Sequence, residues 1–260
     1  MTDRLPRSRR IITNNDTLRT EYHDLRAGDA FIGRVRLASS EEGLLVDLLE
    51  RGILLFPAAL AQLAARSKTM QARLFAEFLP PDTHAVHDQH ELLRLVNLFG
   101  ARNIGRIITK RDRKNAGLGI NLWNSIEEVW NQCSCKALPL PLVVQPFLPD
   151  CRDVRVIILG DYQEAYQRHN PHNFRHNLHC GGSSSPYALN ADQLDLCRRV
   201  MARGKFPYAH LDLLVDETGA TYLSEINLRG GICGAAITPQ QYKEKLTAIH
   251  DAAQENLPPG

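Results

Sequence analysis

The chain has 260 residues, a formal net charge of +2, 43% hydrophobic residues and 23% charged residues of both signs. That is enough for one large folded domain or two closely packed ones, and the near-balance of charge argues against a dedicated nucleic-acid binder. The longest apolar stretch, residues 52–65, is too short to cross a bilayer and is interrupted by Pro57 and Gln62, so no membrane role is expected. Six cysteines, with no apolar leader after the arginine-bearing start, predict a cytoplasmic protein with reduced thiols.

No internal repeat or low-complexity linker is present, and residues 1–28 are polar without a clear period. Alternation over residues 31–37 predicts a strand. Ser39 and Glu42 have capping-box spacing and predict a helix to Arg51, ended by Gly52. Residues 53–56 read as a buried strand, followed by helix to about Phe78 with a break near Ser67, and by a helix over residues 90–99. Residues 104–110 predict a strand and 111–119 a polar loop. Ser125 and Glu128 again have capping-box spacing, so residues 126–135 predict a helix. Residues 142–147 and 154–159 are rich in β-branched residues and predict strands; 161–168 pairs with the latter through a turn at Gly160 and Asp161. Residues 169–186 form a long loop rich in His, Asn and Gly. Asn190 with Gln193 caps a helix to about Arg203, residues 208–215 and 221–226 make a hairpin, and Thr238, Pro239 and Gln241 open a last helix. Without regular strand–helix alternation, the fold class is α+β with antiparallel sheets.

Chemistry concentrates in the hairpin. Asp212 lies among apolar neighbours, where a charge is costly without a partner. With the turn centred on Glu217 and Thr218, Asp212 falls opposite Leu223, and Glu225 and Asn227 share its face. Such oxygens suit magnesium, although spacing alone does not separate this from a solvated acidic face. Lys110 ends a strand before a loop carrying Lys114, Gly117 and Gly119, whose N–H groups can cradle phosphates. The loop matches neither a Walker A motif nor a dinucleotide fingerprint, and in isolation an exposed basic hairpin is the plainer reading. His169, His172, His176, His179 and Cys180 raise a zinc site as an alternative to a phosphate-contacting polar loop. Cys133 and Cys135 read as two ordinary thiols, and Trp123 and Trp130 as core packing on one helix face near its start.

Taken in order, these pieces resemble the ATP-grasp superfamily, in its ribosomal-protein glutamate ligase and glutathione synthetase branch. The resemblance runs from about Ser67 to Ala236. It rests most on Asp153-Val154-Arg155-Val156, then Arg168, residues 173–179, Gly181-Gly182, Leu211-Asp212-Leu213-Leu214 and Glu225-Ile226-Asn227. It implies two antiparallel-sheet subdomains clasping a nucleotide, over residues 67–148 and 149–260, after a shortened α/β segment at 1–66. By resemblance, Lys68 and Lys110 are nucleotide lysines and Gln145-Pro146-Phe147-Leu148 is the adenine hinge, offering the carbonyl of Pro146 and the N–H of Leu148. Asp153 holds the ribose, and Arg175, His176 and Asn177 meet the phosphates. Asp212, Glu225 and Asn227 hold magnesium, with manganese as a substitute.

The implied reaction is ATP-dependent coupling of a small-molecule or peptide carboxylate to an amine through an acylphosphate. Lys110 and Arg175 stabilise the transferring group. Arg229, and Arg168 from the opposite sheet, grip the carboxylate; a structural pairing of Arg229 with Glu225 or Asp212 is the alternative. A small-molecule kinase of the same fold and a non-catalytic nucleotide-binding module are the competing functions, and a homo-oligomer is compatible with the sequence. Two departures fall where acceptor substrates bind: the short segment before Lys68, and Leu228-Arg229-Gly230-Gly231 in place of the branch's Asn-x-Ser-x-Gly.

Overall fold

A computed structural model of the chain describes residues 8–114, 117–174 and 181–258. The first segment folds as β1 (Ile11–Ile12), α1 (Asn15–Thr20), β2 (Ala30–Ile32), α2 (Gly43–Glu50), β3 (Leu54–Phe56) and α3 (Ala59–Ala64). Its three strands form a small parallel sheet in the order β1-β2-β3, apart from the antiparallel sheets of the rest of the chain. Phe31, Leu45, Leu48 and Ile53 fill a separate apolar cluster behind this sheet. The strand expected over 31–37 stops at Ile32. Gly33 takes a φ of 143°, and the chain leaves the sheet there. The expected cap is also displaced: Glu41, not Glu42, reaches back to the Ala38 N–H at 2.7 Å.

The break near Ser67 is a helix start, because the Ser67 hydroxyl accepts the Met70 N–H at 3.1 Å and opens α4 (Lys68–Leu74). Then follow β4 (His84–Val86), α5 (Gln89–Ala101), β5 (Ile107–Arg111), β6 (Ile120–Trp123), α6 (Ile126–Ser134) and β7 (Leu142–Pro146). The strands make an antiparallel sheet in the order β4-β7-β5-β6, covered by α5 and α6 over Leu92, Phe99, Ile107, Val129 and Val144. Trp123 sits in β6 rather than on the helix; its indole N–H donates to Thr109 Oγ1 at 2.8 Å, and with Trp130 it packs on this cluster. Ser125 makes no cap bond, while Glu128 accepts the Asn124 N–H instead.

The remaining elements are β8 (Arg152–Leu159), β9 (Tyr162–His169), β10 (Ser183–Pro186), α7 (Ala191–Gly204), β11 (Tyr208–Val215), β12 (Thr221–Asn227) and α8 (Pro239–Glu255). The five strands pair antiparallel in the order β10-β9-β8-β11-β12 around Val154, Val156, Tyr166, Leu211 and Ile226. The capping boxes read at Asn190/Gln193 and Thr238/Gln241 both form. The hairpin register differs from the expected one. Asp212 pairs with Glu225, Leu213 pairs with Leu223, and the extra residue, Ser224, is a bulge.

Candidate active site

Cross-strand register builds the floor of the site. Tyr166, Arg155, Asp212 and Glu225 are successive partners across β9, β8, β11 and β12, so paired side chains meet on one face. Arg155 holds Asp212 with both arms of its fork, Nε to Oδ1 at 2.8 Å and Nη2 to Oδ2 at 2.9 Å. Its third arm, Nη1, donates to the Gly231 carbonyl at 3.2 Å. Arg168 donates to Asp153 Oδ1 from Nε at 2.8 Å and from Nη2 at 2.5 Å, and Nη2 also lies 3.2 Å from Asp212 Oδ1. Burial alone would favour a neutral Asp212, but the Arg155 and Arg168 guanidiniums outweigh it and hold the carboxyl well below the usual range. Arg168 therefore lies in the same sheet as the acids, not the opposite one, and its guanidinium is committed to Asp153 and Asp212.

Two lysines reach this floor from the other side. Lys68, at the first position of α4, donates to Glu225 Oε1 at 2.9 Å and to the Lys114 carbonyl at 2.6 Å. Lys110, near the end of β5, donates to the Ser224 carbonyl and hydroxyl, each at 3.2 Å. The bulge at Ser224 thus turns both of that residue's oxygens toward a lysine. Burial pulls the Lys110 ammonium down to about 8, against the favourable charge of Glu225 and with the repulsion of Lys68.

Between the four- and five-stranded sheets lies a cleft of about 890 Å³ lined by residues of both, with residues 34–42 of the first segment at its side. Of the expected hinge, Gln145 lines the cleft, whereas Pro146, Phe147 and Leu148 do not. The Phe147 N–H donates to the Arg106 carbonyl at 2.9 Å. Gln145 Oε1 is buried without a hydrogen-bond partner. Asp153, Arg168, Asp212, Glu225, Asn227 and Arg229 all border the cleft. Arg229 is exposed and forms no ion pair with Asp212 or Glu225, so the structural pairing considered for it is not made. Arg175, His176 and Asn177, with His179 and Cys180, lie outside the described residues. Among the described residues no three His, Cys, Asp or Glu side chains are grouped to hold a metal. Sequence reading missed Arg155 as the organiser of the floor, and it missed the contribution of residues 34–42. The Arg155 signal was present in its position two residues after Asp153, on the same strand face.

The oxygen set suits a hard divalent cation. Glu225 has one oxygen on Lys68, Asp212 Oδ2 carries a single hydrogen bond and keeps a second lone pair, and Asn227 adds an amide on the same strand.

Two antiparallel sheets closing on a cleft of lysines and acids define the ATP-grasp fold. Solved structures agree: D-alanyl-alanine synthetase A from Vibrio cholerae O1 superposes with a TM-score of 0.63 at 15% identity, covering 88% of this chain and 77% of that one. D-alanine–D-alanine ligase from Bacillus anthracis, solved with ATP, gives 0.62 at 13% identity over 93% and 84%. Residues 64–241 match the RimK-like ATP-grasp domain, and the chain belongs to that family. Glutathione synthetase from Agrobacterium fabrum is 29% identical over 168 residues, 59% of this chain and 48% of the relative. The chain thus spans about half the length of the curated relative it matches.

Proposed function

We propose that the protein is an ATP-dependent ligase that joins a carboxylate to an amine, forming a carbon–nitrogen bond through an acylphosphate. The observation that carries this reading is the convergence of Lys110, Asp212, Glu225 and Asn227 in one cleft between two antiparallel sheets, with Lys68 ion-paired to Glu225. In this reading residues 67–148 and 149–260 are the two lobes and 1–66 a short substrate-side segment.

Magnesium, held by Asp212, Glu225 and Asn227, would neutralise charge on the phosphate oxygens; manganese would substitute for it. Arg155 fixes the rotamer of Asp212, so that carboxylate is positioned before any ligand arrives. Lys110 is held near the cleft with its charge only weakly supported, and an approaching phosphate supplies the missing counter-charge. Gln145 presents an unused buried acceptor to the cleft, where an amino group of the base would satisfy it. The carboxylate oxygen attacks the γ-phosphorus and ADP leaves. The amine nitrogen then attacks the acyl carbon, phosphate leaves, and the amine gives up a proton. Arg229, exposed and without an ion-pair partner among the described residues, would hold the carboxylate against the anionic donor.

The test is ATP turnover with magnesium against pools of carboxylates and amines, with product masses measured. Release of ADP and phosphate that needs both pools, together with an amide product, supports the ligase. A stable phosphorylated product formed without amine would make it a kinase, and tight ATP binding without any turnover would make it a binding module.

A further inference from the structure

The loop at residues 33–38 has no regular secondary structure, yet side chains from elsewhere hold its backbone almost completely. Asn15 donates to the Arg34 carbonyl at 3.1 Å and accepts the Arg36 N–H at 2.6 Å. Buried Gln62 accepts the Val35 N–H at 2.8 Å and is itself fixed to the Pro57 carbonyl. Arg66 donates to the carbonyls of Val35 and Leu37, and Arg19 to that of Arg36. Such bonding sets a loop in one conformation before a ligand arrives. What it presents to the cleft is two exposed guanidiniums, Arg34 and Arg36, neither with a side-chain partner among the described residues.

The charges of the cleft explain why this matters. Eight cationic and four acidic side chains line it, against a net charge of +2 for the whole chain. The acids are already matched: Asp153 and Asp212 by Arg155 and Arg168, Glu225 by Lys68, and Glu42 by Arg113. Of the five lining cations without an acidic partner among the described residues, Arg66 and Lys110 bond to carbonyl and hydroxyl oxygens, which leaves Arg34, Arg36 and Arg229. Arg34, Arg36 and Arg229 all line this one cleft. Three guanidiniums without acidic partners along one cleft repel each other and favour an anion that brings several carboxylates.

Building on the ligase reading, we propose that Arg34 and Arg36, with Arg229, form the recognition site for an acceptor-side substrate bearing two or more carboxylates, either a small polycarboxylate or an acidic peptide. Calorimetry on the full chain, with magnesium and a non-hydrolysable ATP analogue, reads binding without turnover. The probes are tricarballylate and tri-glutamate, each against its neutral amide counterpart. The acidic member of at least one pair should bind at least about tenfold tighter and weaken with added salt. The pair that discriminates identifies the source. Arg34→Ala with Arg36→Ala should lose about tenfold for that probe while the melting temperature and the affinity for the ATP analogue hold. Equal binding of acidic and neutral probes in both pairs overturns the proposal, as does parallel loss of probe and ATP analogue in the double variant. Amide formation from a simple monocarboxylate, with no preference for polycarboxylates, would keep the ligase reading and sink this one. Polycarboxylate binding without any amide product would do the reverse.

Discussion

Lys110 shows how the site trades stability for chemistry. Its ammonium titrates at about 8 in the folded chain against an ordinary 10.5, because burial outweighs the help of Glu225. Between those values the unfolded chain binds more protons than the folded one, so this residue makes stability rise with pH, and below about 8 its full cost is present. Lys110→Met is therefore expected to stabilise the ligand-free protein near neutral pH by about 1–3 kcal/mol. The gain should shrink as pH approaches 10.5, and ATP turnover should be lost. Urea unfolding of both proteins across that range checks the sign; a destabilised variant at neutral pH refutes it. Arg229 is a different kind of residue, exposed and without a hydrogen-bonded or ion-pair partner among the described residues. Arg229→Lys should leave folding and ATP affinity unchanged. Loss of its bidentate geometry should cost about 1.5–3 kcal/mol, roughly one to two orders of magnitude in kcat/KM for the carboxylate. Equal weakening of ATP and carboxylate would remove it from the substrate site.

Among the elements, the row across β9, β8, β11 and β12 is both scaffold and site. Asp212 compensates two largely buried guanidiniums, and its depressed titration means that its stabilisation is present above the ordinary carboxylate range and lost as pH falls below it. Asp212→Asn leaves Arg155 and Arg168 under-compensated and should destabilise the protein by about 3–5 kcal/mol, with less acid sensitivity remaining in the variant than in the parent. An unchanged unfolding midpoint would contradict the row. Glu225→Gln, nearly isosteric, should instead keep the fold and lower magnesium-dependent turnover by at least about a hundredfold; near-normal rates at saturating magnesium would exclude Glu225 as a ligand. These elements were unevenly legible in the sequence. The helix starts at Ser67, Asn190 and Thr238 were readable because a cap is a contact between residues three apart. Glu128 defeated the same rule, because Asn124 offered a competing donor. The short strands β4 and β10 lack an apolar period long enough to register, and β10 is four exposed residues inside what reads as a loop. Acidic ligands two apart on a strand were visible from parity, but the bulge at Ser224 was not, since it depends on what Lys110 needs from the opposite sheet.

For the whole molecule, the cleft joins both sheets, so a ligand that fills it acts on two cores at once. An ATP analogue with magnesium, at about a hundred times its Kd, should raise unfolding free energy by about 2.7 kcal/mol in the parent protein. The shift should vanish in Lys110→Met; thermal melts with and without analogue decide this, and an equal shift in the variant would place the nucleotide elsewhere. The first segment stands apart from these cores, with its own cluster around Phe31, Leu45 and Leu48. Its loop at 33–38 is held by Asn15, Gln62 and Arg66 through its backbone atoms, and the side chains at 34 and 36 have no hydrogen-bonded partner among the described residues. Changes at distant, independent positions add. Variation at 34 and 36 can therefore drift through lineages without eroding the nucleotide machinery, and a descendant carrying acids or aromatic residues there would inherit the same phosphoryl chemistry aimed at a different molecule.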